Sequence, residues 1–185
     1  RKSVEREQKY QVANVDAVRE RLHRFGAQPH ASGFERNELF DRGDQLSRQG
    51  LKLRLRRHGR SIALLTIKGP RLAAVHKARM EVETPVDYAG AKRILELLDF
   101  RVTETYSKIR EEFRLDGCSV CLDHIPRRGW FVESEGPPRK IALIARRLGL
   151  RSADREHRSY RKLIRDAGAS GVGAARATAH CSFAL

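Results

Sequence analysis

Hydrophobic positions along this 185-residue chain recur with two different periods. A spacing of three to four places Val15, Val18, Leu22 and Phe25 on one face, behind Asn14 as N-cap and ahead of Gly26 as a stop, which predicts a first helix. Asp87 caps a second, with Ala91, Ile94, Leu95 and Leu98 in its stripe, and Pro138 opens a third carrying Ile141, Ile144 and Leu148 as far as Gly149. A fourth holds Tyr160, Leu163 and Ile164.

Between these helices the period falls to two, the mark of a strand. In Leu51-Lys52-Leu53-Arg54-Leu55-Arg56 the leucines take one face and the bases the other, and in Ala63-Leu64-Leu65-Thr66-Ile67-Lys68 the base Lys68 stands opposite Leu65 and Ile67. The turn His58-Gly59-Arg60 joins the two as a hairpin. Lys77, Arg79, Glu81 and Glu83 alternate with Ala78, Met80 and Val82, and Lys108 and Arg110 flank Ile109. Asp123 alternates with Leu122, Glu133 and Glu135 surround Ser134, and Glu5, Glu7 and Lys9 share one face of the first strand. With a short strand at Glu38-Leu39-Phe40-Asp41, about eight strands are expected, mostly antiparallel because their connections are short.

The polar face of an ordinary half-buried sheet is a loose mixture of Thr, Ser, Lys and Glu meeting water. Here that face collects acids and bases in strand-sized blocks, while the other face and the helix stripes are aliphatic and need covering. The expected architecture is therefore α+β, an eight-stranded antiparallel closed β-barrel with helices packed outside and charge inside, wide enough for one small ligand. A helix-backed open sheet with a solvated charged face is the alternative. Residues 1–167 form the expected domain; Gly168 to Leu185 is rich in Ala, Gly and Ser, and is expected to be a flexible tail.

Composition narrows the ligand. There are 38 Lys and Arg against 23 Asp and Glu, a formal charge of +15, which favours an anionic partner. The interior bases suit phosphoryl oxygens, and the clustered carboxylates offer hard oxygen donors to Mg²⁺ or Mn²⁺. A metal-triphosphate bridging the two sets would offset the cost of burying either alone. Cys118 and Cys121 lie three apart in an alternating segment, so they point to opposite faces and form neither a zinc site nor a redox pair. The chain shows no His-Glu-x-x-His, no Gly-x-x-x-x-Gly-Lys loop and no Gly-x-Ser-x-Gly elbow. No apolar run approaches a membrane span and the start Arg1-Lys2-Ser3-Val4 lacks a signal peptide's apolar stretch, so a cytoplasmic location without membrane association is expected.

Glu5-x-Glu7-x-Lys9 resembles the signature of the CYTH superfamily, the triphosphate tunnel metalloenzymes. The blocks that follow stand in the family's order: Leu53-Arg54-Leu55-Arg56, Leu65-Thr66-Ile67-Lys68-Gly69-Pro70, Arg79-x-Glu81-x-Glu83, Lys108-x-Arg110, Leu122-Asp123 and Phe131-Val132-Glu133-x-Glu135. Ser159-Tyr160 followed by Leu163 looks like the C-terminal element of the class IV adenylyl cyclase branch, while Arg128-Gly129-Trp130 replaces the usual Leu-Gly before the Phe-Val-Glu block.

The resemblance implies an eight-stranded tunnel, dependence on a divalent metal, and cleavage of triphosphates such as ATP, thiamine triphosphate or tripolyphosphate. It makes Lys9, Arg54, Arg56, Lys68, Arg79, Lys108 and Arg110 the expected phosphate ligands, and Glu5, Glu7, Asp123, Glu133 and Glu135 the expected metal ligands, with Glu81 and Glu83 as supports. Lys9, Lys108, Arg110 and Asp123 are the expected catalytic set, with Asp123 and Glu135 both open as the carboxylate assisting deprotonation. The leading expectation is a class IV adenylyl cyclase-like conversion of ATP to cyclic AMP and pyrophosphate. The first alternative is a triphosphatase of the same fold, and the second a non-catalytic module for polyphosphate or RNA. A stable nucleic-acid partner is not expected, and a homodimer is allowed.

Overall fold

The computed structural model describes residues 3–59, 62–70 and 77–169; at 3–5, 62, 77–79 and 167–169 it describes the backbone alone. Its strands are β1 (Ser3–Val12), β2 (Gln28–Asp41), β3 (Lys52–His58), β4 (Ile62–Lys68), β5 (Lys77–Val86), β6 (Arg101–Leu115), β7 (Cys118–Ile125) and β8 (Gly129–Glu135). Helix α1 (Val15–Arg24) follows β1, α2 (Gln45–Arg48) follows β2, α3 (Tyr88–Leu97) follows β5, and α4 (Pro138–Arg147) and α5 (Tyr160–Ala169) end the chain around a 3₁₀ turn at Ser152–Asp154. The expected tail falls outside the described residues from Ser170 onward, and α5 runs up to that limit. No described helix is long and apolar enough to cross a membrane.

The expected eight-stranded antiparallel sheet is present, with α1, α3 and α4 on its outer side. Helix α5 departs from the expected outside packing: its Tyr160 and Leu163 pack on Phe131 and Ile125, and its first turn lines the inner cavity. Neighbours run in the order β1-β5-β4-β3-β2-β6-β7-β8, and every pairing is antiparallel. β1 divides its length between the two ends of the sheet, Ser3–Glu7 lying beside β5 and Glu7–Val12 beside β8. Past Glu7 the main chain of Arg155 and Glu156 also lies along β1, with a bridge from Arg155 to Tyr10 and the Glu156 N–H donating to the Lys9 carbonyl at 2.9 Å.

Helices start where their caps require. Asn14 Oδ1 accepts from the Ala17 N–H at 3.0 Å and Asp87 Oδ2 from the Gly90 N–H at 2.6 Å, each satisfying a first-turn donor that has no partner within the helix. The buried stripe of α1, Val15, Val18 and Leu22, meets Ile141 and Ile144 of α4 and its C-cap Leu148 over Val120, Leu122 and Val132 of β7 and β8. A second core under α3 joins Ala91 and Leu95 to Phe40 and Leu55. At about 25 cal/mol per Å² of apolar surface removed from water, these two cores hold α1, α4 and α3 on the sheet's outer side.

One turn fixes the register that matters most. β6 and β7 are joined by Asp116-Gly117 alone, both at positive φ (51° and 74°), the two-residue hairpin geometry whose twist matches the strands it joins and which favours Gly and Asp. Pairing Leu115 with Cys118 then sets Arg110 opposite Asp123.

Candidate active site

The inward face of the sheet is charged, as the alternation predicts, and its bases and acids meet around one cavity of about 370 Å³. β3 and β4 contribute Lys52, Arg54, Arg56 and Lys68; β1 and β6 contribute Lys9, Lys108 and Arg110; Arg161 comes from α5. The carboxylates on the wall are Glu7, Glu81, Glu83, Glu133 and Glu135, and the uncharged lining is Leu39, Tyr106, Ser159 and Tyr160. Eight bases thus face five acids, which leaves the space electropositive and suited to an anion.

Acids and bases pair across the wall. Lys68 Nζ is 2.7 Å from Glu81, and Arg56 Nη2 donates to Glu83 at 2.7 Å, which also accepts from Thr66 at 2.6 Å. Arg54 lies 3.6 Å from Glu83 and 4.0 Å from Glu81. Glu81 and Glu83, expected as supports, therefore hold the bases of β3 and β4. The cross-strand partners are Glu7 with Glu135 and Lys9 with Glu133.

Asp123 is fully buried and does not border the cavity. Arg110 grips it with two parallel bonds, Nε to Oδ1 at 2.7 Å and Nη2 to Oδ2 at 2.6 Å, the bidentate geometry that a guanidinium and a carboxylate share. Lys108 Nζ donates to Oδ2 at 3.1 Å and the Tyr160 hydroxyl donates to the same oxygen at 2.7 Å. Arg110 also reaches Glu133 at 2.9 Å. Burial opposes the charge on Arg110, but the Asp123 carboxylate more than compensates and holds the guanidinium firmly protonated.

The start of α5 supplies the remaining wall. Lys9 Nζ stands 3.9 Å from the centre of the Tyr160 ring and Lys108 Nζ 4.8 Å, both within cation–π range. The ring meets Phe131 edge-on, and Arg161 Nε donates to Glu104 at 2.5 Å. Burial, with the charges of Asp123 and Glu133, pushes the Tyr160 hydroxyl well above the usual phenol range, so it stays a donor.

Of the residues expected at the site, Glu7, Lys9, Arg54, Arg56, Lys68, Lys108, Arg110, Glu133 and Glu135 line the cavity. Glu5 and Arg79 are register partners on β1 and β5, and their side chains lie outside the described residues. Among the described residues no three His, Cys, Asp or Glu side chains are gathered around one point where a metal could sit. The chemistry of the wall's donors still suits a hard cation, since Glu7, Glu133 and Glu135 offer oxygen alone.

Sequence reasoning missed Lys52, Tyr106 and Arg161 on the wall, and Glu35 and Asn37 behind it. Glu35 is 1 % exposed; Asn37 Nδ2 donates to it at 2.9 Å, and Arg56 and Lys108 each approach to 3.5 Å. Burial disfavours its charge, yet Lys108, Arg110, Arg56 and Arg54 outweigh that and hold the carboxyl well below the usual range. The only signal for it in the sequence is the alternation Glu35-x-Asn37-x-Leu39, read outward from the expected short strand.

Comparison with known proteins agrees with this fold. A protein of Methanocaldococcus jannaschii, provisionally named an adenylate cyclase, is 26 % identical over 134 residues, 71 % of this chain and 76 % of that one. The crystal structure of a Vibrio parahaemolyticus protein, provisionally described as an adenylate cyclase, superposes with a TM-score of 0.78 at 26 % identity, covering 89 % of this chain and 99 % of the other. A Hippeastrum protein, provisionally named an adenylyl cyclase and described as having a dominant triphosphatase activity, shares the fold alone, with a TM-score of 0.66 at 13 % identity over 90 % of this chain and 96 % of its own. The family model of the CYTH domain matches residues 3–160, and the chain belongs to that family.

Proposed function

We propose that this protein is a metal-dependent enzyme that cleaves a triphosphate inside its sheet, and that its leading reaction is the conversion of ATP to cyclic AMP and pyrophosphate. The observation that carries this is the convergence on one cavity of eight bases from four strands and α5 with the carboxylates Glu7 of β1 and Glu133 and Glu135 of β8. Pairing of β1 with both β5 and β8 supports the tunnel form of the sheet.

Lys9, Arg54, Arg56, Lys68, Lys108 and Arg110 bind phosphoryl oxygens in this reading, with Arg79 joining them from its register position beside Glu5. Glu7, Glu133 and Glu135, with Glu5, would hold Mg²⁺ or Mn²⁺, whose charge would offset that of the triphosphate oxygens. Lys108 and Arg110 stabilise charge on the phosphorus being attacked and on the departing pyrophosphate, work that needs positioned cations and no covalent nucleophile. Asp123, expected as a ligand and a catalytic group, acts here through Lys108, Arg110 and Tyr160, all of which donate to it. Its burial behind the wall leaves Glu135 as the cavity-lining member of the two carboxylates considered for deprotonating the ribose hydroxyl.

Hydrolysis of a triphosphate is the second reading. It is favoured by the scarcity of apolar lining: Tyr160 already carries Lys9 and Lys108 on its ring, which leaves Leu39 and Tyr106 to receive a purine. Chromatography of the products from ATP, tripolyphosphate and thiamine triphosphate, each with Mg²⁺ or Mn²⁺, separates the two. Cyclic AMP with pyrophosphate establishes the cyclase, orthophosphate without cyclic AMP the triphosphatase, and no turnover of any of them defeats both.

A further inference from the structure

β2 is the strand between β3 and β6, the two that carry most of the bases. Its inward side chains therefore set how far apart those bases stand. Glu35 among them is charged, 1 % exposed and outside the cavity lining. On the β6 side it is the register partner of Lys108, whose ammonium lies 3.5 Å away, and Arg110 Nε stands at 4.0 Å. On the β3 side Arg56 Nη1 is at 3.5 Å, and Arg56 is the register partner of Asn37, which in turn donates to Glu35 at 2.9 Å. Lys108 thus sits between two buried carboxylates, Glu35 and Asp123.

Three like charges drawn toward one point repel one another strongly in a medium that screens poorly. An anion among them cancels that repulsion and gives each base a fixed direction. We propose that Glu35 is a positioning residue that spaces Arg56 on β3 from Lys108 and Arg110 on β6 so that they meet a bound triphosphate together. The proposal rests on the triphosphate reading above. A residue that only stabilised the fold would change the melting temperature and leave the turnover of folded protein alone. A positioning anion has a different signature: its removal makes the cage more cationic, so ground-state binding of the triphosphate persists or tightens, while misplaced bases slow the chemical step.

The test compares the wild type with Glu35→Gln and Glu35→Asp, using tripolyphosphate and ATP with Mg²⁺, and measures kcat, KM and thermal melting together. Glu35→Gln is expected to lower kcat about 10- to 100-fold with KM unchanged or reduced, and Glu35→Asp, which keeps the charge, to recover part of the loss. Wild-type kcat in folded Glu35→Gln, or a raised KM with kcat intact, overturns the proposal. Should Glu35→Gln not fold, Glu35→Asp decides, with lowered kcat at constant KM supporting the role and wild-type kcat refuting it. A wild-type protein that neither binds nor cleaves either compound defeats the triphosphate reading itself, an outcome distinct from active wild type with indifferent variants.

Discussion

The hydroxyl of Tyr160 donates to Asp123 Oδ2 across 2.7 Å, tying the first turn of α5 to the middle of β7. The bond decides where α5 sits, because it is made to a carboxylate with no exposure to solvent, already held by Lys108 and Arg110. Replacing Tyr160 by Phe keeps the ring under Lys9 and removes only this donor. The expected cost is about 1–3 kcal/mol of stability, the penalty for depriving a buried acceptor of a partner, read from the urea midpoint.

Asp123→Asn strikes harder. It removes the charge that compensates two buried cations, Lys108 at 3 % exposure and Arg110 beside it, and a broken buried pair costs about 3–5 kcal/mol. Glu133→Gln removes one of Arg110's carboxylates from a more open position and leaves Asp123 in place, so its loss in the same urea titration is expected to be smaller. Equal losses would mean that Asp123 does not anchor the cage.

Much of this arrangement is legible in the sequence. Leu53 and Leu55 against Arg54 and Arg56 announce which face is covered by α3 and which lines the cavity, and the three-residue spacing of Cys118 and Cys121 places one under the helices and the other beside Arg110, with both thiols free. β2 is where the reading falls short: a four-residue strand is expected and fourteen residues are found. Pro29, Gly33 and a run of mixed charge at Glu35-Arg36-Asn37-Glu38 mask the alternation, because Arg36 and Glu38 on the outer side are as polar as Glu35 and Asn37 on the inner. The outer charges are explained by α3: Tyr88 donates to Glu38 at 2.7 Å and Lys92 lies 3.5 Å from it. Asp123 shows a different limit. Alternation places it on the inner face, but whether an inward carboxylate meets the ligand or the bases depends on depth, which a period cannot report.

Stability is expected to fall on both sides of neutrality for reasons that can be assigned. Glu35 is ionised in the fold to a pH well below its ordinary value of 4.5, so its contribution is complete above about pH 4.5 and is lost as the pH falls through the depressed value, at about 1.4 kcal/mol per pH unit. Burial pushes the Cys121 thiol from 9.0 up to about 12; the folded state disfavours the thiolate that the unfolded chain forms, so stability is complete below pH 9 and declines between 9 and 12. Urea titrations from about pH 3 to 11 measure both limbs, with Glu35→Gln flattening the acid limb and Cys121→Ser the alkaline one.

The central claim is that one electropositive cavity inside the sheet binds a triphosphate, and calorimetric titration of the protein with tripolyphosphate, with and without Mg²⁺, tests it most directly. The account predicts one site per chain, affinity that falls as salt rises because the contacts are ionic, and loss of binding in the paired substitution of Arg54 and Arg56 by Ala, which removes two wall bases from β3. Binding that survives this double substitution unchanged, or no saturable binding to the wild type at all, would contradict it.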